Sequence, residues 1–597
     1  MNIGGIDLGI ILIYLVVVAV VGTWFHKKAT KKVESFFLAD RNIPWWMLGL
    51  SGSSSYIDIS GTMAMVGLIV AVGLKSVWII HIAWSLFIMS FYMAFQAKWI
   101  RRSSVMTFAE WNKTRFGNTR DAEAARLTSG IFVLVLMVFN LTYFAVGTGK
   151  FAEEFLPFER WQSTLVIFAI VGTYVTLGGF LGVMLTDILQ TVLIAAGAIL
   201  LVVIAFRDSG EVTQLIASKN PSWISLKPVW SLWSDYQQNA PVSYSHYQTF
   251  GPFMLAGLSW CIFRLLAGPN VWDFQFFLSA RSPRDASLGA GLWTVGHTFR
   301  WLMIFSLLLI GIPYIIGVDA STFDVERIMP LAMLRLPVGL KGLFIAVLLA
   351  ALMSTMSGAI NVISNIAVND FLKRYFAKNC TEKGLVRCGQ VVCAVAIAAS
   401  FVLNISFESV VEIWELMLFV VLMPILVPST LRWHWWRFSA KAYVLSILIS
   451  VSLIIGQKVF FHDLSASMSL GITVSLCFVT TLIAGLLCKP TDINTLIPFY
   501  VKVRPFGFWG PVKREAIKRR LIPEKDWVAV IDIANGILAM IFQMLICLVA
   551  FYCFLKLWWR FSISLVILMA VSTVLYFTWY KTLPEKQELD EIRENPD

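Results

Sequence analysis

The sequence predicts an all-α polytopic membrane protein, and three observations carry this prediction. First, hydrophobic residues make up 58% of the 597-residue chain and charged residues only 14%, a balance that does not suit a water-soluble surface. Second, apolar stretches of about 20 residues recur from residue 6 to residue 580, and each is long enough to cross a bilayer as a helix. Third, these stretches lack the period-two alternation of a transmembrane barrel.

About fifteen of these stretches are predicted membrane spans. They lie near residues 6–25, 45–74, 77–99, 127–149, 161–179, 183–206, 251–279, 290–317, 339–370, 386–405, 409–431, 441–461, 466–488, 534–556 and 560–580. The first span has no basic residue before it and no small-residue cleavage site after it. We therefore expect a retained helix and not a signal peptide.

The distribution of basic residues predicts the orientation of the chain. If residue 1 lies outside, the loops that become cytoplasmic hold most of the Lys and Arg, including those at 27–32, 101–102 and 513–520. We expect a multi-pass protein of the plasma membrane with its N-terminus outside and its C-terminus in the cytoplasm. The net charge of +12 then reflects this asymmetry and does not indicate a nucleic-acid partner. The eight Cys are scattered and indicate no disulfide framework.

Two of the predicted spans contain residues that interrupt a helix. The span 45–74 carries Ser51-Gly52-Ser53-Ser54-Ser55, followed by Asp58 and Gly61. The span 251–279 carries Ala267-Gly268-Pro269-Asn270. Ser, Gly and Asp weaken a helix and compete for its hydrogen bonds, and Pro removes one of them. Both helices are predicted to break within the membrane.

Matched broken helices indicate two inverted repeats of five helices each, because an odd number of spans inverts the second repeat. The alternative is that small residues here only allow close helix packing, and it stays open. The predicted divisions are an N-terminal helix and cytoplasmic loop (1–44), the first repeat (45–206), an exterior loop (207–250), the second repeat (251–431), two accessory helices (432–488), a cytoplasmic linker (489–526), and two C-terminal helices with a tail (527–597).

The span 339–370 contains a cluster of polar residues. Ser354, Ser357, Asn361 and Asn365 recur at spacings of three and four and so share one helix face, with Thr355 beside them. Hard monovalent cations prefer neutral oxygens, which adjacent hydroxyls and the exposed carbonyls of a broken helix can supply. The alternative is that these side chains form hydrogen bonds between helices.

Four motifs resemble those of the sodium:solute symporter family, which includes sodium/glucose and sodium/proline cotransporters. They are Phe36-Phe37-Leu38-Ala39-Asp40-Arg41 with Pro44-Trp45-Trp46, Gly178-Gly179 with Thr186-Asp187-Ile188-Leu189-Gln190, Phe277-Leu278-Ser279-Ala280-Arg281-Ser282, and the stretch from Met353 to Asn361. The resemblance spans roughly residues 6 to 440. It implies a LeuT-like core with a 5+5 inverted repeat, to which N- and C-terminal helices are added.

The resemblance also implies a sodium site between the first broken helix and the span 339–370. Its ligands would be the backbone carbonyls of Ser54, Ile57 and Ala351 and the hydroxyls of Ser354 and Thr355. The resemblance further implies a second sodium site of the kind found in some members, which here would use Asp187, Ser354 and Ser357. The next expected hydroxyl is replaced by Gly358. We therefore favour one sodium ion and keep two open, with Asp187 as a structural acid at the inner gate as the alternative.

Substrate recognition departs from the sugar-transporting relatives. Where they carry polar side chains, this chain has Gly61, Phe263 and Trp414, so a copy of the sugar site is absent. The predicted spans instead contain charged groups, which are costly in lipid unless paired or hydrated. These ionisable residues are Asp58, Arg264, Asp273, His297 and Arg300.

The candidate substrate-binding residues are Asp58, Arg264, His297, Arg300 and Trp414. A structural ion pair between Asp58 and Arg264 is the alternative to a binding role. An Arg264 or Arg300 without such a partner would suit a carboxylate or sulfonate on the substrate. Trp414 and Phe263 would stack on a sugar ring or close a gate.

The sequence thus predicts a sodium-coupled secondary symporter, and not an enzyme, that imports a sugar or carboxylate-bearing compound by alternating access. Na⁺ is the expected coupling ion, the small solute and the lipid bilayer are the expected partners, and the expected state is a monomer or weak oligomer. A transporter-like sensor and a proton-coupled carrier that uses Asp58 remain alternatives. An intramembrane enzyme is disfavoured because the sequence has no HExxH motif, nucleophile elbow or paired-carboxylate motif.

Overall fold

The computed structural model describes residues 3–24, 32–155, 159–219, 221–232, 247–268, 271–315, 324–376, 379–461, 464, 466–524 and 527–583. Within these ranges the regular structure is helical, and strand-like pairing is limited to isolated bridges such as that between Ile43 and Ala280. The prediction of an all-α membrane protein is therefore confirmed.

Helix α1 (Gly5–Trp24) precedes the region of the first predicted repeat. The main helices of this region are α2 (Trp45–Ser54), α3 (Ile59–Val72), α4 (Arg120–Glu153) and α5 (Arg160–Lys219). Short helical segments between α3 and α4 are Ser76–Trp78, Ile79–Ala83, Ile88–Phe91, Tyr92–Gln96, Ala97–Ser103 and Trp111–Phe116. Helix α5 contains both predicted spans 161–179 and 183–206, with a non-helical backbone at Gly179, and it extends into the predicted exterior loop.

The region of the second predicted repeat begins with another interrupted helix. Its main helices are α6 (Phe250–Leu266), α7 (Val271–Ser279), α8 (Pro283–Ile315), α9 (Leu340–Ile366), α10 (Glu382–Asn404), α11 (Val410–Leu416) and α12 (Met423–His434). Helix α9 continues as π-helical turns over Ala367–Phe376, and Met417–Leu422 joins α11 to α12 in the same way.

The remaining helices are α13 (Ala440–Phe460), α14 (Ala466–Leu487), α15 (Ile493–Val503), α16 (Gly510–Lys518), α17 (Val528–Phe554) and α18 (Trp558–Thr578). Helices α15 and α16 lie in the segment predicted as a linker, which is therefore folded. It packs on the core, because the Trp509 indole donates to the carbonyl of Trp433 at 3.1 Å and lies against the Arg115 guanidinium.

The number of full-length membrane helices differs from the predicted fifteen. Eleven helices in the described ranges are long and apolar enough to cross a membrane. The predicted spans without such a helix of their own are 77–99, 161–179, 251–279 and 409–431. The spans 77–99 and 409–431 are divided by π-helical turns. The span 161–179 is joined to the next span in α5, and the span 251–279 is broken between α6 and α7. Hydropathy identifies apolar stretches but does not show where a helix is interrupted.

The interior of the bundle is formed around α3 and α9. In the most apolar windows of these two helices 89% of the residues are buried, against 11% for the window in α18. Polar residues in α3 and α9 are consequently surrounded by protein, whereas α18 exposes most of its apolar side chains. This distribution is expected when peripheral helices face lipid and central helices carry the polar groups.

The first broken helix has a cause in the local sequence. The hydroxyls of Ser54 and Ser55 donate to the carbonyl of Ser51 at 2.9 and 2.8 Å and so compete for the hydrogen bonds of α2. Asp58 has an extended backbone, and its carboxylate caps α3 by accepting from the Gly61 amide at 2.5 Å. The chain therefore leaves the helix at Ser55 and begins a new one at Ile59, as predicted.

The second break lies between α6 and α7. Helix α6 ends at Leu266, and Gly268 adopts a positive φ of 95° that favours glycine. Pro269 and Asn270, which the prediction also invoked, lie outside the described residues. Both of the interruptions expected from the sequence are thus present.

Small residues bring α2 against α8, which belongs to the other repeat. A Cβ atom added to Gly52 would lie 2.5 Å from the ring of Trp293, and one added to Gly49 would lie 2.5 Å from the Leu292 side chain. Such close approach requires glycine at the interface. The first half of the broken helix is therefore positioned by the second repeat.

We predict that Gly52→Ala lowers the thermal stability of the detergent-purified protein, because the added methyl overlaps a buried, rigid indole. The expected cost is about 1–3 kcal/mol. Gly471→Ala in α14 is the matched control, since a Cβ there meets no atom within 4 Å. It should be neutral or stabilising by up to about 1 kcal/mol. Equal unfolding temperatures for Gly52→Ala and the wild type would contradict the close packing of α2 on α8.

Candidate functional site

A cavity of about 130 Å³ lies beside the break between α2 and α3. Its walls come from both repeats, namely from α3, α4 and the segments between them, and from α6, α8, α9 and α11 with the following π-helical turns. Most lining side chains are aliphatic or aromatic. Those that carry a charge are Asp58, Arg264 and Arg300. An enclosed, largely apolar cavity with a few polar groups is the usual form of a small-molecule site.

The five residues predicted to bind sodium meet at the edge of this cavity. The Thr355 hydroxyl on α9 lies 3.3 Å from the carbonyl of Ile57 and 2.9 Å from the carbonyl of Ala351. The Ser354 hydroxyl donates to the hydroxyl of Ser54 at 2.8 Å. The carbonyl of Ser54 accepts from the amide of Ile57 at 3.0 Å, within the break.

The chemistry of this oxygen cluster suits a monovalent cation. Its atoms are neutral carbonyl and hydroxyl oxygens, so an ion can be held without burying further negative charge. The interruption of α2 frees the Ile57 carbonyl from regular helical bonding, and Thr355 is the neighbour that now bonds it. The hydroxyl protons can rotate away from the carbonyls when another positive group takes their place.

Asp187 forms a second, adjoining group with the serines of α2. It is fully buried, and its Oδ2 atom accepts a short hydrogen bond from the Ser51 hydroxyl. Its Oδ1 atom has no hydrogen-bond partner among the residues that the structure describes. The Ser357 hydroxyl donates to the carbonyl of Ser354 at 2.7 Å, and the face of Gly358 is open, since an added Cβ meets nothing within 4 Å. The hydroxyl missing at Gly358 therefore leaves space.

The ion pair expected for Asp58 is formed with a different arginine. Its Oδ2 atom lies 3.7 Å from Nη2 of Arg300 on α8, so the expected pairing with Arg264 is wrong. The partner follows from helix packing, because α8 lies against α2 and α3. Arg300 also donates through Nη1 to the carbonyl of Tyr56 in the break, and the Tyr143 hydroxyl lies 3.4 Å from Oδ1 of Asp58.

Gly61 leaves room for these polar groups. A Cβ atom at this position would lie 2.5 Å from Nη2 of Arg300, 2.9 Å from Oδ2 of Asp58 and 3.1 Å from the Tyr143 hydroxyl. The position at which the sugar-transporting relatives were expected to carry a polar side chain is thus filled by polar groups from α4, α8 and the break itself.

The other predicted residues are distributed differently. Trp414 lines the cavity and packs on Tyr143, with ring centroids 5.4 Å apart. His297 is buried beside Tyr56, at 5.9 Å between ring centroids, and is not among the lining residues. Phe263 packs on Phe478 of α14 and lies outside the cavity lining, so the structure does not support its expected role in stacking or gating.

Further members of this region were not identified from the sequence. Asp273 had been noted as an ionisable residue, but the structure shows that it accepts from the hydroxyls of Tyr56 and Tyr92 at 2.6 and 2.9 Å. Trp84, Asn140, Tyr143 and Trp260 line the cavity. Aromatic and amide residues are common in membrane helices, so only their position distinguishes them.

Comparisons with known proteins identify relatives of this chain. Over 436 residues the chain is 26% identical to a sodium/glucose cotransporter 4 of Danio rerio, covering 66% of this chain and 62% of that protein. It is 26% identical over 434 residues to a sodium/mannose cotransporter, SLC5A10, of Bos taurus, covering 66% of this chain and 68% of that protein. The chain thus spans about three fifths of the length of the Danio rerio protein.

The structure also resembles that of a Na⁺-coupled sialic acid symporter in a substrate-bound outward-open state, with a TM-score of 0.65 and 19% identity. The match covers 82% of this chain and 99% of that one. At this identity the likeness establishes the fold and thereby the predicted LeuT-like core. The sequence profile of the sodium:solute symporter family matches residues 36–449, well over half of the chain. The chain therefore belongs to the sodium:solute symporter family.

Proposed function

We propose that this protein is a sodium-coupled secondary symporter that imports a small organic solute across the plasma membrane by alternating access. The observation that carries the proposal is the meeting of Ile57 and Ser54 in the break with Ala351, Ser354 and Thr355 on α9. The family and the names of the relatives, which are sodium cotransporters, support it. The solute class implied by the sequence remains a sugar or a carboxylate-bearing compound.

In this proposal Na⁺ is transported cargo that joins two separate elements. A cation held by the carbonyls of Ile57 and Ala351 and the hydroxyl of Thr355 would tie the break to α9. The break and α9 lie in different repeats, so binding favours the arrangement in which both sets of oxygens are close. The solute cavity is bordered by the same break, through Ser55 and Asp58, and by Thr355. Ion and solute would therefore favour the same arrangement of the repeats.

We favour a single sodium ion per cycle and keep a second one open. A second ion would use Asp187, Ser354 and Ser357, and the unpartnered Oδ1 of Asp187 is the feature that favours it. Gly358 has no side-chain hydroxyl to complete that set. In the single-ion alternative Asp187 is a structural acid at the inner gate that accepts a hydrogen bond from the Ser51 hydroxyl of α2.

Two other functions are weighed against the symporter. A proton-coupled carrier would use Asp58, but this carboxylate already caps α3 and pairs with Arg300. A transporter-like sensor would signal through the linker, whose helices α15 and α16 pack on the core. The sodium symporter requires neither a titrating Asp58 nor a signalling partner, so we prefer it.

We predict that Na⁺ raises the unfolding temperature of the purified, solute-free protein relative to K⁺ at equal ionic strength. A ligand at about 100 times its dissociation constant stabilises the folded state by about 2.7 kcal/mol. Ser354→Ala and Thr355→Ala should abolish most of this shift, because each removes a hydroxyl from the oxygen cluster. Ser446→Ala is the matched control, since this buried hydroxyl bonds only the carbonyl of Ala442 in its own helix.

The control variant must retain the full Na⁺ shift for the comparison to be valid. Equal stabilisation by Na⁺ and K⁺ in the wild type would contradict sodium coupling. A full Na⁺ shift in both Ser354→Ala and Thr355→Ala would instead place the ion elsewhere.

We predict that Asp187→Asn leaves the Na⁺ concentration dependence of the unfolding temperature with a single-site form, as in the wild type. The asparagine retains the hydrogen bond from Ser51 without the charge. A cooperative Na⁺ dependence in the wild type that becomes single-site in Asp187→Asn would show that a second ion binds there. The measurement is a Na⁺ titration of the unfolding temperature, with choline replacing Na⁺.

A further inference from the structure

We propose that the transported solute is an organic carboxylate and that Arg300 receives its carboxylate group. This inference rests on the proposed function, since it names the solute of the same cavity. It concerns the recognition of the solute, whereas the sodium cluster concerns the coupling ion.

The cavity is lined by a guanidinium that its acidic neighbour compensates only in part. Arg300 and Asp58 both line it, and Nη2 of Arg300 lies 3.7 Å from Oδ2 of Asp58. A buried cation of this kind is costly inside a membrane protein because the surroundings cannot solvate the charge. An anionic solute reduces this cost, whereas a cationic solute increases it.

Three hydrogen-bond donors on the lining side chains have no acceptor among the described residues. Arg300 Nε and the indole nitrogens of Trp260 and Trp414 donate to no atom among the residues that the structure describes. All three residues line the cavity. A carboxylate accepts only, with two oxygens and about four lone-pair positions. A group of this kind matches unused donors, while an ammonium group does not.

Arg300 is fixed in position, but its N–H groups are not all hydrogen-bonded to described residues. Its Nη1 donates to the carbonyl of Tyr56, which fixes the guanidinium against the break. Its Nη2 is 3.7 Å from Oδ2 of Asp58, well beyond the roughly 2.7–2.9 Å of a charge-assisted hydrogen bond. Oδ1 of Asp58 accepts a hydrogen bond from the Gly61 amide. The Nε and Nη2 edge of Arg300 therefore offers the paired donors that suit a carboxylate.

Gly61 leaves this edge of Arg300 without a side chain against it. A methyl group there would lie 2.5 Å from Nη2 of Arg300, so a larger residue would displace the guanidinium. The rest of the wall is mostly aliphatic or aromatic, and Trp84, Tyr143 and Trp414 are among its aromatic members. A solute with a flat or apolar body would bury that body against these rings while its carboxylate meets Arg300.

The position of Arg300 also links the solute to the ion. It bonds the carbonyl of Tyr56, and the next carbonyl in the chain, that of Ile57, belongs to the sodium cluster. A solute bound to Arg300 and an ion bound to Ile57 would thus hold neighbouring peptide groups of one unwound segment. Each would favour the arrangement that the other needs.

The test compares matched solutes on the purified protein in NaCl and in KCl. The probes are nicotinate with nicotinamide, phenylacetate with phenylacetamide, and glucuronate with glucose. We expect the carboxylate of at least one pair to raise the unfolding temperature in NaCl, and its neutral partner to bind at least about tenfold more weakly. The same solute should enter proteoliposomes under a Na⁺ gradient and not under a proton gradient alone.

Variants of Asp58 and Arg300 test whether the cavity recognises an anion or a cation. Arg300→Gln should weaken the carboxylate at least about tenfold and remove the preference over the neutral partner. Asp58→Asn should strengthen carboxylate binding, because it removes the competing anion while the asparagine keeps the cap on α3. If Arg300→Gln folds poorly because it leaves Asp58 unpaired, the double variant Asp58→Asn/Arg300→Gln removes both charges and gives the same comparison.

Three results would overturn the inference. They are binding of a neutral partner as tight as that of its carboxylate, an unchanged carboxylate preference in Arg300→Gln or the double variant, and failure of every carboxylate to bind in NaCl. The stabilisation of the solute-free protein by Na⁺ is measured in the same assay. If that stabilisation persists, only the solute class is wrong, and if it is absent the proposed function itself fails.

Discussion

The break between α2 and α3 imposes the constraint on which the rest of the site depends. A membrane interior provides no water for the carbonyls that an interrupted helix releases, so the surrounding protein must bond them. Thr355 bonds the carbonyl of Ile57, and Arg300 bonds that of Tyr56. The break is therefore stable only when α8 and α9 lie beside it, and the same contacts gather the oxygens and the charge of the site.

Under the proposed function this arrangement lets one segment serve two ligands. The oxygens proposed to bind the cation lie on the side of the break that faces α9, and the charged pair of Asp58 and Arg300 lies on the side that borders the cavity. Because residues 56 and 57 lie between the last hydrogen bond of α2 and the cap of α3, their position depends on what occupies either side. Close packing through Gly49 and Gly52 keeps α2 against α8, so a change in the break is transmitted to the second repeat.

The sequence predicted the features that have local causes. The serine run and Asp58 predicted the first break, because these residues bond the backbone nearby. Ser354 and Thr355 were predicted to lie in one helix, as they do. Features that arise from contacts between distant helices were not predictable. Asp58 and Arg300 are 242 positions apart, and the sequence alone could not choose between Arg264 and Arg300 as its partner. The π-helical turns that divide 77–99 and 409–431 have no clear sequence signature, and the predicted count of fifteen spans is not confirmed.

The central claim is that neutral oxygens from the break and from α9 hold a sodium ion. Equilibrium binding of radioactive sodium to the purified protein tests it most directly, because it requires neither a known solute nor transport. The account predicts saturable binding to the wild type and its loss in the double variant Ser354→Ala/Thr355→Ala, with Ser446→Ala unaffected. Wild-type levels of bound sodium in the double variant would contradict it.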